Sequence, residues 1–258
     1  MFDRFLSLDP IVQALVATAG TWAATAVGAA GVLFFRAAPQ RLLDGALGFA
    51  AGVMVAASSW SLLAPAMETG GLGVAVLGLL IGGAALYGLD KALPHLHARL
   101  LPRRVQEGPI VAWRSTVLLI LAITIHNFPE GVAVGVAFGA QTPGAATALA
   151  IGIGLQNMPE GLAVSLPLRR EGVGRWKAFL LGQASALVEP AGGVLGAYLV
   201  VTARALLPYG LAFAAGAMLF VVIEELLPDA VKREHTDVVT LGFLGGFTLM
   251  MALDNLLG

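Results

Sequence analysis

A chain of 258 residues with a mean hydropathy of +0.85 and 12% charged residues is too apolar for a water-soluble domain, which carries about 25% charge. Its net charge is −1 and no basic cluster has interleaved aromatics, so nucleic acid is excluded as a partner. Cysteine is absent, which removes disulfides and thiolate metal sites.

The apolar runs are long enough for membrane helices rather than barrel strands. Asp3 and Asp9 flank Arg4, and the uncharged stretch that follows is too long for a signal-peptide core, so it is the first span. Eight spans fit, at 10–35, 42–67, 71–90, 113–139, 144–167, 175–203, 206–227 and 238–257. Glu68-Thr69-Gly70-Gly71 and Gln141-Thr142-Pro143-Gly144 are turn-like. The expected fold is all-α, one transmembrane domain over 1–258 in the lipid bilayer.

Arg36, Arg41, Lys91, Arg99, Arg103, Arg104, Arg114, Arg169, Arg170, Arg175, Lys177, Lys232 and Arg233 fall on one side, leaving only Arg4 and Arg204 on the other. The positive-inside rule then sets both termini outside the cytoplasm, and an even number of spans agrees. The expected location is a cell (inner) membrane. Residues 91–112 read as a flexible cytoplasmic loop. Its His95-Leu96-His97 is either a weak metal contact or two solvated histidines.

A six-residue string occurs twice. His126-Asn127-Phe128-Pro129-Glu130-Gly131 returns as Gln156-Asn157-Met158-Pro159-Glu160-Gly161, followed by Val132-Ala133-Val134 and Leu162-Ala163-Val164. Leu47-Gly48-Phe49-Ala50-Ala51-Gly52-Val53-Met54 similarly matches Leu211-Ala212-Phe213-Ala214-Ala215-Gly216-Ala217-Met218, with Pro65 and Pro228 beyond. Each echo joins spans of opposite sense, spans 4 and 5 or spans 2 and 7. That is the pattern of an inverted repeat, spans 1–3 against 6–8 and span 4 against 5, with the substrate site near the midplane.

Glu130, Glu160 and Glu189 sit in mid-span, where an acid costs roughly 2.5–3.5 kcal/mol on insertion scales. A divalent cation supplies the missing charge; protonated carboxyls relaying protons are the alternative. His126 and Glu130 share a helix face at i, i+4, and Gln156 and Glu160 repeat it. Asn127 and Asn157 lie one position along, at the cavity edge. Pro129 and Pro159 cannot donate to the carbonyls of Ile125 and Leu155, which predicts kinks with free carbonyls, and Pro190 follows Glu189 in the same manner. One imidazole with carboxylates and amides suits Zn²⁺, and also Cd²⁺, Mn²⁺ or Fe²⁺. Met54 reads from the residues alone as packing. Glu68, Asp90, Glu224, Glu225 and Asp254 lie near helix ends, either as interfacial acids or as cation guides, and His235 reads as exposed in a short loop.

With its paired Pro-Glu-Gly motifs the chain resembles the ZIP (Zrt-/Irt-like) family of divalent metal transporters, in its bacterial branch, over essentially its whole length. The resemblance implies a binuclear mid-membrane site: Met54, His126, Glu130, Gln156 and Glu160 around one ion, and Asn127, Asn157, Glu130, Glu160 and Glu189 around a second, with Glu130 and Glu160 bridging. It implies an entrance at Glu68 and Asp254 and an exit at Asp90, Glu224, Glu225 and His235. It also implies a homodimer in which spans 1, 4, 5 and 6 move against 2, 3, 7 and 8. Zn²⁺ or Cd²⁺ is expected as bound cargo, with no resident cofactor. Asn157 stands where some bacterial relatives carry Asp, which weakens the second position, and Glu224 stands where a His can occur.

The expected function is uptake of divalent metal into the cytoplasm by alternating access. An intramembrane metalloenzyme is the first competitor, but there is no His-Glu-x-x-His and no separate nucleophile or oxyanion donor. A proton-coupled carrier of an organic cation is the second, and it lacks an aromatic cage around the motifs.

Overall fold

The computed structural model describes residues 5–35, 37–100, 110–140, 143–231 and 235–258, all helix and short connections. Helix α1 (Pro10–Ala29) starts where chemistry favours it: Pro10 needs no amide partner, and Asp9 Oδ1 accepts from the Ile11 amide at 2.9 Å. Then follow α2 (Gln40–Ala56), α3 (Ala64–Leu100), α4 (Ile110–Gly139), α5 (Pro143–Arg170), α6 (Arg175–Ala184), α7 (Val188–Thr202), α8 (Leu207–Val221) and α9 (Thr236–Leu257). A π-helical stretch, Ala57–Leu63, joins α2 to α3, and another, Val222–Leu226, extends α8 into the short helix Leu227–Val231.

Five stretches among the described residues are long and apolar enough to cross a membrane: Pro10–Phe34, Gln40–Ala92, Arg175–Thr202, Arg204–Val231 and Thr236–Leu257. Their outer faces expose Phe34, Leu72, Leu80 and Leu241, side chains that lipid solvates and water does not. Within α3 the chain turns at Gly71, whose φ of 77° and ψ of 167° are open only to glycine. The turn expected at 68–71 is therefore present; the one expected at 141–144 falls partly outside the described residues, as do 101–109 of the expected loop and Lys232 and Arg233.

Two expectations change. Helix α3 runs on to Leu100, so 91–100, with His95 and His97, is helix rather than loop; Leu and Ala dominate there, and both are strong helix formers. The sixth span is broken into α6 and α7. Pro190 has no N–H and its ring crowds the carbonyl of Ala186, so residues 185–187 tighten into i+3 bonds such as Leu187 N to Ala184 O at 3.2 Å. By contrast, α4 and α5 continue unbroken through Pro129, Pro159 and Pro167.

The helices pack as four parallel pairs: α1 with α5, α4 with α7, α3 with α8, and α2 with α9. Gly131, Gly135 and Gly139 of α4 meet Glu189, Gly193 and Val200 of α7 in order, and Gly48 and Gly52 of α2 meet Val239 and Phe243 of α9 in order. The echoed glycines make these contacts. A Cβ on Gly131 would overlap the Glu189 carbonyl, and one on Gly161 the Thr25 carbonyl; Gly52 and Gly216 stand likewise against Phe243 and Leu79. The repeated motifs thus carry the helix-to-helix approach as well as the polar residues.

Gly216→Val forces α3 and α8 apart. At about 1–3 kcal/mol for overpacking, and about 2–4 °C per kcal/mol, a melting point about 2–12 °C below wild type is expected in detergent. Gly88→Ala, at a position with open space around it, is expected to leave it within about 1 °C. Light-scattering or fluorescence melts compare the two.

Candidate metal pathway

The motif residues converge. His126, Asn127, Glu130, Gln156, Asn157 and Glu189 are all buried, and Glu160 is half-buried. A cavity of about 80 Å³ is lined by His126, Glu130, Glu160 and Glu225, with Asp229 at its edge. It shares Leu47, Ala163 and Asp229 with a second cavity of about 200 Å³, bounded by Gln40, Pro167 and Arg170. The acids therefore communicate with the face that carries Arg170, called here the inner face.

Several of these polar groups have defined partners. Gln156 Nε2 donates to Glu130 Oε1 at 2.7 Å, and Asn157 Nδ2 to Glu189 Oε1 at 2.9 Å. The Thr21 hydroxyl of α1 donates to Glu189 Oε2. His126 Nδ1 lies 2.9 Å from Glu225 Oε2, which the π stretch Val222–Leu226 turns toward the cavity. What remains are acceptors: Asn127 Oδ1, Glu130 Oε2, Gln156 Oε1 and Asn157 Oδ1 are buried without a donor. A buried acceptor left unpaired costs about 1–3 kcal/mol. Oxygens of this kind, beside an imidazole, are the donors a borderline divalent ion takes. In this conformation no three His, Asp or Glu side chains among the described residues close one ion shell by themselves. The amide oxygens are thus the available further donors.

On the opposite, outer face, Glu68 and Asp254 line one cavity of about 490 Å³, and Ser61 Oγ donates to Asp254 Oδ1 at 2.7 Å. None of its lining residues belongs to the inner cavities. Met54 is buried in the core and does not line the acid cavity. Among the expected exit residues, Glu225 contacts His126 itself. Asp90 instead faces Lys91 at 3.6 Å, and Glu224 is exposed. His235 is half-buried rather than free, with Nδ1 3.0 Å from Oδ2 of the fully buried Asp44, whose Oδ1 accepts from Gln40 Nε2 at 2.8 Å.

Sequence reasoning missed Thr21, Asp44, Ser61 and Asp229. Asp44 lies inside the expected second span, and its charge at that depth was a usable signal. Thr21 and Ser61 carry none, since small hydroxyls are ordinary in membrane helices.

A family model described as ZIP zinc transporter matches residues 105–254. Zinc transporter ZIP11 of Homo sapiens is 41% identical to the chain, over 96% of this chain and 98% of its own. Zinc transporter GufA of Myxococcus xanthus is 39% identical, over 95% and 98%. Zinc transporter ZIPB of Bordetella bronchiseptica is 39% identical, over 95% and 81%.

Asn157→Asp replaces the amide that donates to Glu189 with a second carboxylate. The metal-free protein is expected to melt lower, and zinc to raise its melting point by more than it raises that of wild type. Equal zinc-induced shifts in the two proteins would refute this account of the Asn157–Glu189 bond.

Proposed function

The chain belongs to the ZIP family of zinc transporters, and on that premise we propose that it carries Zn²⁺ across a membrane through the buried His, carboxylate and amide cluster. Membership in a transporter family sets aside the intramembrane enzyme. The observation that carries the reading is the set of donorless buried oxygens around Glu130, beside a cavity open to one face and separate from the cavity on the other.

The arriving ion replaces hydrogen bonds that neutral groups now make. Glu130 and Glu160 supply most of the charge. Gln156 turns from Glu130 to offer its oxygen, and His126 leaves Glu225 to offer a ring nitrogen. Cd²⁺, Fe²⁺ and Mn²⁺ are further cargoes that the same donors can take. Met54 joins the first position once the site rearranges. The second position, at Asn127, Asn157 and Glu189, holds an ion weakly, because Thr21 and Asn157 already satisfy both Glu189 oxygens. Alternating access moves the cargo, entering by Glu68 and Asp254 and leaving by Glu225, with Asp90, Glu224 and His235 along the rim. A dication entering a negative interior gains about 4.6 kcal/mol at 100 mV, twice the value per elementary charge.

Eight crossings complete the architecture. A stretch of 53 residues is far longer than one span, and Gly71 divides it. Helices α4 and α5 supply two more crossings. The inverted repeat draws support from the four parallel pairs: exchanging spans 1–3 with 6–8, and 4 with 5, turns the α1·α5 pair into α4·α7 and the α2·α9 pair into α3·α8. Placing both termini outside the cytoplasm accords with the one-sided Lys and Arg distribution, and the reading includes a homodimer in the inner membrane.

Zn²⁺ uptake into proteoliposomes tests the reading. Glu130→Ala and Glu160→Ala are each expected to reduce saturable uptake at least about tenfold while eluting as folded protein in size exclusion. Wild-type rates in either would remove that residue from the site.

A further inference from the structure

Phe128 belongs to the first Pro-Glu-Gly copy, yet the polar cluster does not use it. His126, Asn127 and Glu130 are buried, whereas Phe128 is 38% exposed and lines a groove on another side of α4. The groove has a volume of about 320 Å³ and lies between α3, α4, α7 and α8. Ile81, Phe128, Val132, Leu199, Leu206 and Phe213 line it, and Tyr209 is its only lining residue with a polar side chain. It shares no lining residue with the acid cavity or with the outer cavity. From Phe128 to Val136 it follows α4 for about 12 Å, most of the hydrocarbon depth of one leaflet. Leu206 lies at its outer end, beside Leu207 of the outer cavity.

The other half of the molecule fills the equivalent position with its own side chains. Gly28 of α1 stands against Met158 of α5, and Gly192 of α7 against Phe128 of α4, so the two helix pairs correspond residue by residue. Gly196 then answers to Val32, Val132 to Leu162 and Val136 to Leu166. Val32, Leu43, Leu166, Leu168 and Ala178 form a buried cluster on which Leu162 packs. Where that half places the Val32 side chain, the groove has a glycine. Ile81, Leu195 and Leu199 on its rim are 50%, 43% and 42% exposed, so the groove opens sideways to the bilayer.

We infer that this groove binds an acyl chain of an outer-leaflet phospholipid, whose phosphate is held by Arg204. Water gains nothing there, because the lining offers it too few hydrogen-bond partners. An acyl chain restores the dispersion contacts that an empty apolar lining forfeits. Arg204 supplies the charge complementarity. It is exposed at the mouth, two residues before Leu206, and the sequence places only Arg204 and Arg4 on the outer side. A guanidinium presents paired donors that match a phosphate. The lipid touches both groups of helices, since α4 and α7 form one wall and α3 and α8 the other. The inference concerns lipid rather than metal and stands apart from the transport reading.

The test uses the full chain, purified in detergent and incubated with dioleoylphosphatidylglycerol, with retained lipid counted by native mass spectrometry. Ile81→Trp and Leu199→Trp fill the groove from exposed positions, so their melting points should stay within about 2 °C of wild type. Leu241→Trp, on an exposed position of α9 away from the groove, controls for lipid held elsewhere on the surface. Wild type and Leu241→Trp are expected to retain a tightly held phospholipid, and the two groove variants at least about fivefold less. Arg204→Gln is expected to weaken retention about fivefold, with Arg204→Lys recovering part of the loss. Binding of dioleoylglycerol, which lacks the phosphate, should be the same in Arg204→Gln and wild type.

Equal retention in the groove variants and in Leu241→Trp overturns the inference and leaves a loose lipid annulus. Absence of retained lipid in wild type overturns it as well. Unchanged phospholipid retention in Arg204→Gln overturns the headgroup assignment. A wild-type dimer that Ile81→Trp and Leu199→Trp split into monomers, with lipid retention unchanged, overturns the inference in favour of a second copy of this chain in the groove.

Discussion

Carboxylates held in an apolar interior govern the rest of the structure. Glu130 and Glu189 are buried among neutral donors, and no lysine or arginine lines the cavity at Glu130. A buried charge without compensation costs several kcal/mol even after relaxation. A fixed Lys or Arg would remove that cost permanently and leave nothing for a cation to do. Amides and a hydroxyl remove part of it: they hold the carboxylates in place and still yield to an ion. Gln156 and Asn157 are well suited, because an amide can present its donor in one orientation and its acceptor in the other.

The second constraint is how closely the backbones approach. Where glycine brings one helix onto a neighbour's carbonyls, the pair has little freedom to slide. The parallel pairs are rigid for that reason, and the polar cluster is anchored on them: Glu130 and Glu189 on α4 and α7, Gln156 and Thr21 on α5 and α1. Near the site a polar contact, His126 to Glu225, crosses between the two groups of helices, beside apolar ones such as Met250 of α9 at Gly152 of α5. Helix pairs packed through glycine and joined to others through exchangeable polar contacts can move as bodies.

Much of this was legible in the sequence. The duplicated Pro-Glu-Gly string set the acids at mid-span, and helical spacing put His126 with Glu130 and Gln156 with Glu160. The echo between spans 2 and 7 was legible as letters, although its meaning as glycine contact required the packing. The break before Glu189 was half visible: Pro190 announced a disruption, but whether the helix bends or ends depends on neighbours. Pro129 and Pro159 show the other outcome, since α4 and α5 run through them. The reach of Thr21 to Glu189 spans 168 positions and depends on how α1 packs against α5 and α7. Nothing local encodes that. Asp44 is different, because its charge at depth was visible and only its partner, His235, was not.

The duplication also shows where the two halves have diverged. Asn127 and Glu130 return as Asn157 and Glu160, while other polar positions differ. His126 answers to Gln156, Glu225 to Ser61, and Asp229 to Pro65. Every one of these differences puts the more strongly coordinating or charged group on the inner route or facing it. A cation leaving the site inward therefore meets carboxylates at once, and one approaching from outside meets Asp254 and Glu68 first, then a hydroxyl. The unequal side chains make the two approaches chemically unequal, so that capture from one face and release to the other need not have the same affinity.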